Sequence, residues 1–95
     1  MVKIVATSVV KKECIGAYQE IAKELVEKSN QEAGCVSYEL LQSREDERIH
    51  TFVEAWESQK AIDTHGKTEH FTRIVQQFAA MCEGEMDIKT YIKIS

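Results

Sequence analysis

The apolar residues of this chain keep a period of two from Val2 to Val10, move to steps of three and four between Cys14 and Leu25, and return to a period of two over two further runs. They then repeat the change, with helical spacing from Phe71 to Cys82 and strict alternation from Met86 onward. A period of two sends alternate side chains to opposite faces of a strand, whereas steps of three and four line one face of a helix. The chain is therefore predicted to run strand, helix, strand, strand, helix, strand. With 95 residues there is room for one domain, 1–95, and for a single modest core.

The first strand is predicted over Val2–Val10, rich in β-branched residues, with Val2, Ile4, Ala6 and Ser8 on one face and Lys3, Val5, Thr7 and Val9 on the other. Both faces read as buried. From Glu13 an amphipathic helix follows, with Cys14, Tyr18, Ile21, Ala22 and Leu25 opposite a charged face of Glu20, Lys23, Glu24, Glu27 and Lys28. It is expected to stop between Gln31 and Gly34, where Asn30 and Gly34 tolerate positive φ. The second strand is Cys35–Gln42, with Val36, Tyr38 and Leu40 on one side. The polar cluster Ser43–Glu47 is a hairpin turn into a third strand, Arg48–Glu57, in which His50 is expected to be exposed.

Ser58 caps a short helix, Gln59–His65, which Gly66 is expected to stop, and Thr68 caps a second stretch carrying Phe71, Ile74, Val75, Phe78, Ala79 and Cys82. A final strand follows Glu83-Gly84, with Met86, Ile88, Ile92 and Ile94 inward and Asp87, Lys89, Tyr91 and Lys93 outward.

This order is that of a ferredoxin-like βαββαβ fold, an α+β class with an antiparallel sheet. Two helices cover one sheet face. The third strand is nevertheless apolar on both sides, with Ile49, Val53 and Ala55 opposite Phe52 and Trp56. No residues remain to cover the second face, so a homodimer with sheets packed across a twofold axis is expected.

A formal net charge of −4, with no run of lysine or arginine, argues against nucleic acid as a partner. The apolar run Ile4–Val10 is interrupted by Thr7 and Ser8 and is too short for a membrane span or a signal peptide core, so no membrane association is expected and the protein is read as cytoplasmic. The three cysteines, Cys14, Cys35 and Cys82, lie far apart without a C-x-x-C pair and read as reduced, largely buried thiols, with a reactive thiol at Cys35 or an intersubunit disulfide as the alternatives. His65 and His70 are five positions apart and no third ligand has suitable spacing, so the sequence implies no metal site.

The blocks Glu32-Ala33-Gly34-Cys35-Val36-Ser37-Tyr38-Glu39-Leu40, Glu54-Ala55-Trp56-Glu57-Ser58, Ala61-Ile62-Asp63-Thr64-His65 and Thr68-Glu69-His70-Phe71 resemble the antibiotic-biosynthesis monooxygenase domain family over nearly the whole chain. The resemblance implies a dimeric α/β barrel with one pocket per subunit between sheet and helices. It also implies cofactor-independent chemistry, in which a quinol or phenol loses a proton and reacts with O₂. By position, His65 and His70 match the family histidines, and either would serve as base or substrate anchor. Trp56 matches the family tryptophan, either as a stacking face or as core or dimer packing. Tyr38, Phe52 and Phe71 would shape the wall, although alternation alone leaves Tyr38 and Phe52 facing either the pocket or the dimer seam. Glu54, on the same strand face as Trp56, reads either as a buried acid or as an ion-pair partner at an interface.

Departures from the family pattern narrow the chemistry. Glu69 stands where a proline usually precedes the second histidine. The first strand lacks asparagine, position 65 is His rather than Trp, and Val75 replaces the histidine of the haem-degrading subgroup, so haem degradation is disfavoured. The third-strand asparagine of some polyketide oxygenases is also missing. Three functions stay open: a cofactor-free oxygenase of a quinol-like or phenolic small molecule, an isomerase of a small phosphorylated ketone with Lys67 and Arg73 supplying charge, and a non-enzymatic dimer that binds a metabolite.

Overall fold

The computed structural model describes residues 1–95. Strand β1 spans Val2–Val10, helix α1 Ile15–Asn30, β2 Cys35–Gln42, β3 Ile49–Trp56, α2 Gln59–His65, α3 Glu69–Phe78 and β4 Cys82–Ile92. The strands form one sheet in the order β2-β3-β1-β4, and each neighbouring pair is antiparallel. This is the ferredoxin-like arrangement that the alternating periods predict.

The apolar stripe of α1 buries Tyr18, Ala22 and Leu25 against the sheet. Facing them are Ile4, Ala6 and Val10 of β1 and Phe52 and Trp56 of β3, with Ile74 and Phe78 of α3 closing the core. At about 25 cal/mol per Å² of apolar surface, each of the larger aliphatic side chains and phenylalanines contributes roughly 1.5–3 kcal/mol. Ser58 Oγ accepts from the Ala61 amide at 3.2 Å and Thr68 Oγ1 from the Phe71 amide at 3.3 Å, so both predicted caps are in place.

Several local expectations are corrected. The chain enters α1 through a 3-10 turn, Lys12–Cys14, instead of starting the α-helix at Glu13. Helix α2 ends at His65 with Gly66 as its C-cap, as expected, but Gly66 keeps a right-handed φ of −63° where a left-handed one is usual; Thr68, extended with a ψ of 153°, then caps α3. Helix α3 ends at Phe78, and Cys82 opens β4 instead of continuing the helix, because Gly84 takes a φ of +70° beside a register shift between Thr7 and Val9 that lets pairing begin earlier.

Val36 is the extra residue of a bulge, since Cys35 pairs with Trp56 and Ser37 with Ala55; its side chain is consequently exposed, not aligned with Tyr38. His50 is buried, not exposed: Gln19 Nε2 lies 3.0 Å from its Nε2, its Nδ1 lies 3.2 Å from the Arg48 carbonyl, and Tyr18 packs against its ring.

Register places Ile88 and Ile92 of β4 beside Ala6 and Val2, on the helix side as predicted, yet they are 59% and 74% exposed because no helix reaches that edge. Ile94 lies beyond the end of the strand and is exposed. Strand β1 is buried on its helix side only; Val5, Thr7 and Val9 on the other face are half-buried and Lys3 is exposed.

Candidate functional site

Two cross-sheet rows make the floor of an apolar cavity of about 350 Å³. Register aligns Tyr38, Glu54, Ile4 and Thr90 in one row and Leu40, Phe52, Ala6 and Ile88 in the next. All of these except Leu40 line the space. The roof comes from Leu25 of α1, Ile62 and Gly66 at the end of α2, and Phe71, Val75 and Phe78 of α3, with Met86 at the β4 side. The break between α2 and α3 brings Ile62 and Phe71 over the same floor.

Glu54 is the only carboxylate in this lining, and Tyr38 the only other titratable side chain. Glu54 is 6% exposed, and its Oε1 accepts a hydrogen bond from the Trp56 indole N–H at 2.9 Å. Burial pushes the Glu54 carboxyl above its usual range, the Trp56 bond partly opposing this. Burial likewise pushes the Tyr38 phenol far up, with the Glu54 charge adding to the effect, so at neutral pH Tyr38 is a neutral donor.

A second cluster lies behind Tyr38 and Phe71. Glu32 Oε2 is 2.6 Å from His65 Nδ1 and 2.8 Å from His70 Nε2, so a single carboxylate oxygen bridges two imidazoles. His65 is the last residue of α2, His70 sits in the first turn of α3, and Glu32 belongs to the turn between α1 and β2. The His65 ring packs against Trp56, Phe71 and Tyr38 with centroids 4.6, 4.7 and 5.4 Å away. Its burial lowers the His65 pKa, against the raising effect of Glu32. Gly34 holds this turn close to α2: with φ +86°, a Cβ built on it would lie 2.6 Å from Ala61 Cβ.

Of the residues singled out in the sequence, Tyr38, Phe52 and Phe71 line the cavity together. His65, His70 and Trp56 do not; Trp56 is fully buried and holds Glu54 from behind. Sequence reading missed Glu32, and no periodicity could have marked it, because a turn residue has no face to assign. It also left open the part played by Glu54, an acid at a position whose strand neighbours Phe52 and Trp56 point into the core. The three cysteines are free thiols, each half-buried, and burial pushes that of Cys35 up to about 11.

A two-layer α+β fold with an apolar cavity and one buried acid in its floor defines a domain built to hold a small molecule. The chain belongs to the antibiotic biosynthesis monooxygenase family, whose model matches residues 1–77. A crystal structure described as an antibiotic biosynthesis monooxygenase is 33% identical, with all of both chains covered and a TM-score of 0.95. A conserved protein from Methanosarcina mazei Go1 is 29% identical over 98% of this chain and 92% of its own, at a TM-score of 0.95. PA3566 from Pseudomonas aeruginosa is 28% identical over 99% and 94%, at 0.91. Among curated proteins, sll1783 from Synechocystis sp. is 27% identical over 71 residues, 75% of this chain; the chain spans only 48% of that relative's length. No helix is long and apolar enough to cross a membrane.

Proposed function

We propose that this protein is a cofactor-independent monooxygenase acting on a quinol-like or phenolic small molecule, with Glu54 as the group that accepts the substrate proton. The observation that carries the reading is a buried carboxylate alone in an otherwise apolar cavity. A carboxylate pushed up by burial is a stronger base than one in water, and it faces a wall of Phe52, Phe71 and Ile4 suited to an aromatic ring. About 350 Å³ lies at the small end of ligand pockets and accommodates a molecule of one or two rings. Removing the phenolic proton leaves an electron-rich phenolate, the form that O₂ oxidises, between an apolar floor and an apolar roof. Tyr38 donates its O–H to orient the substrate. His65 and His70 act through this wall: Glu32 fixes both rings, and His65 packs edge-on behind Phe71 and at a tilt behind Tyr38.

The phosphorylated-ketone alternative has less support. No cationic side chain lines the cavity; Lys67 is outside it, and Arg73 is engaged by Glu24 and Glu69 on the surface. Pairing into a homodimer is part of the proposal, motivated by the half-buried Val5, Val9, Ile49 and Val53 on the uncovered sheet face and by exposed Ile88 and Ile92. Light scattering at micromolar concentration should give twice the chain mass.

The decisive experiment is O₂ uptake with a panel of quinols and phenols, using chelator-treated protein. Wild type should exceed the buffer rate, and Glu54→Gln should reduce kcat by roughly 10²- to 10⁴-fold, the range of general-base effects. No uptake above buffer across the panel rejects the oxygenase, and full activity in Glu54→Gln rejects the base.

A further inference from the structure

We propose that Glu32, His65 and His70 form a binding site for one first-row divalent cation, behind the cavity wall and separate from the reacting centre. Two imidazoles and a carboxylate are a donor set that zinc and its neighbours accept, and here the donor atoms lie within 4.8 Å of one another. They come from three separate elements, so a bound ion would tie the α1–β2 turn to α2 and α3.

The hydrogen-bonding state of His65 points the same way. Its Nε2 is buried without a polar partner, and the surroundings of the ring are aromatic: Trp56, Phe71 and Tyr38. An aromatic face carries partial negative charge, so it accommodates an N–H better than a bare lone pair. Placing the ring proton on Nε2 leaves Nδ1 as an unprotonated acceptor 2.6 Å from a carboxylate oxygen. Two lone pairs at that distance require a positive centre between them, either a proton or a metal ion.

Charge favours the ion as well. Glu32 is largely buried, with its side chain 12% exposed, and its ion-pair partners are these two histidines alone; no lysine or arginine reaches it. Neutral imidazoles leave a buried net negative charge, which a divalent cation reverses.

Binding requires a local rearrangement of all three side chains. With ligand distances near 2.0–2.2 Å, donor atoms around a tetrahedral ion stand roughly 3.3 Å apart, so the Glu32 oxygen, 2.6 and 2.8 Å from the two nitrogens, would retreat while donor atoms now spread over as much as 4.8 Å draw together. Glu32 sits in the turn following Asn30, free of any helix or strand ladder, where its side chain can rotate. Two or more positions on the ion would be left for water.

The test is titration of chelator-stripped protein with Co²⁺, followed by visible absorption, with Zn²⁺ as competitor and the thermal midpoint as a second readout. One equivalent should bind with a dissociation constant in the micromolar range or below. At a hundredfold excess over that constant Zn²⁺ should raise Tm by about 10 °C or more, reversibly with chelator. His70→Ala and Glu32→Gln, each first checked for native circular dichroism, should weaken binding at least tenfold. Glu32→Gln keeps the shape and a hydrogen-bonding oxygen, so its loss of affinity reports the charge and not the packing. Absence of saturable binding below 100 µM overturns the site and leaves a proton between His65 and Glu32. Binding unchanged in both variants overturns it too, placing the ion at His50 or a cysteine. Neither result bears on O₂ uptake, which rests on Glu54.

Discussion

Substituting Gly34 by alanine tests how the turn that carries Glu32 is held against α2. Gly34 has a φ of +86°, a conformation that costs an L-residue roughly 1–2 kcal/mol. A Cβ there would sit 2.6 Å from Ala61 Cβ, well inside van der Waals contact, and the obstructing atom is fixed to a helix and cannot rotate away. Overpacking of this kind costs typically about 1–3 kcal/mol. Against these stands a gain of about 0.4–1 kcal/mol from the stiffer unfolded chain. A net destabilisation of about 3 kcal/mol follows, which for a domain of this size lowers Tm by roughly 12 to 24 °C.

Thermal and urea unfolding at one fixed protein concentration measure this, and Ala61→Gly separates the two contributions. Glycine within α2 costs about 1 kcal/mol by itself. In Gly34→Ala/Ala61→Gly the steric part vanishes while the dihedral part remains, so the double mutant should be more stable than the sum of the singles by about 1–3 kcal/mol. A loss below 1 kcal/mol in Gly34→Ala refutes the close approach. A cycle additive to within 0.5 kcal/mol refutes Ala61 as the obstacle.

Two further predictions concern Glu54. Because burial raises its folded pKa, its contribution to stability is most favourable below the unfolded value near 4.5 and is lost as pH rises through the folded value. Glu54→Gln should therefore raise Tm relative to wild type at pH 8, and the gap should close toward pH 4; a gap independent of pH would contradict the buried acid. Trp56→Phe removes the indole N–H that holds the Glu54 pKa down, leaving Tyr38 and the charge of Glu32 as its titratable neighbours. The acid limb of the activity profile should move to higher pH, with a stability cost of about 1–3 kcal/mol; an unmoved limb would show that Glu54 does not set it.

The fold was legible because every element obeys one period, and β2 and α2 have the bounds that their patterns predict. Disagreements fall where the pairing is locally irregular: the Val36 bulge inserts one residue and the Gly84 turn two that periodicity counts as regular. The site was less legible for a different reason. Phe71 announces itself as an apolar side chain on the inward face of its helix, whereas alternation leaves Tyr38 and Phe52 facing either the pocket or a dimer seam, and the Glu32–His65–His70 cluster joins a turn to two helix ends that are 33 and 38 positions away along the chain. No local rule connects such residues. His50 shows the same limit, since its burial depends on Gln19 of a helix far from it in sequence.

The cavity and the bare edge of the sheet have one geometric cause, and it yields the last prediction. Helix α1 packs on β2, and α3 packs on α1, so the helical layer is anchored toward the β2 edge of a sheet ordered β2-β3-β1-β4. Helix α3, ten residues long, measures about 15 Å; its last residues meet the start of β4 near Cys82 and Met86, while Ile88 and Ile92 further along the strand stay exposed. The cavity therefore opens on the β4 side, where Ile88 both lines it and is 59% exposed. Whatever covers Ile88 and Ile92 would also close the mouth, and in the homodimer proposed above a second copy of the chain would do so. Ile92 is 74% exposed and does not line the cavity, so Ile92→Glu leaves the floor, the roof and Glu54 untouched while placing a charge on the edge that the proposed pairing covers. Sedimentation should show the variant shifted to single chains, and O₂ uptake should fall with the dimer fraction, recovering at high protein concentration. A single-chain variant with full activity would show that each cavity works without its neighbour.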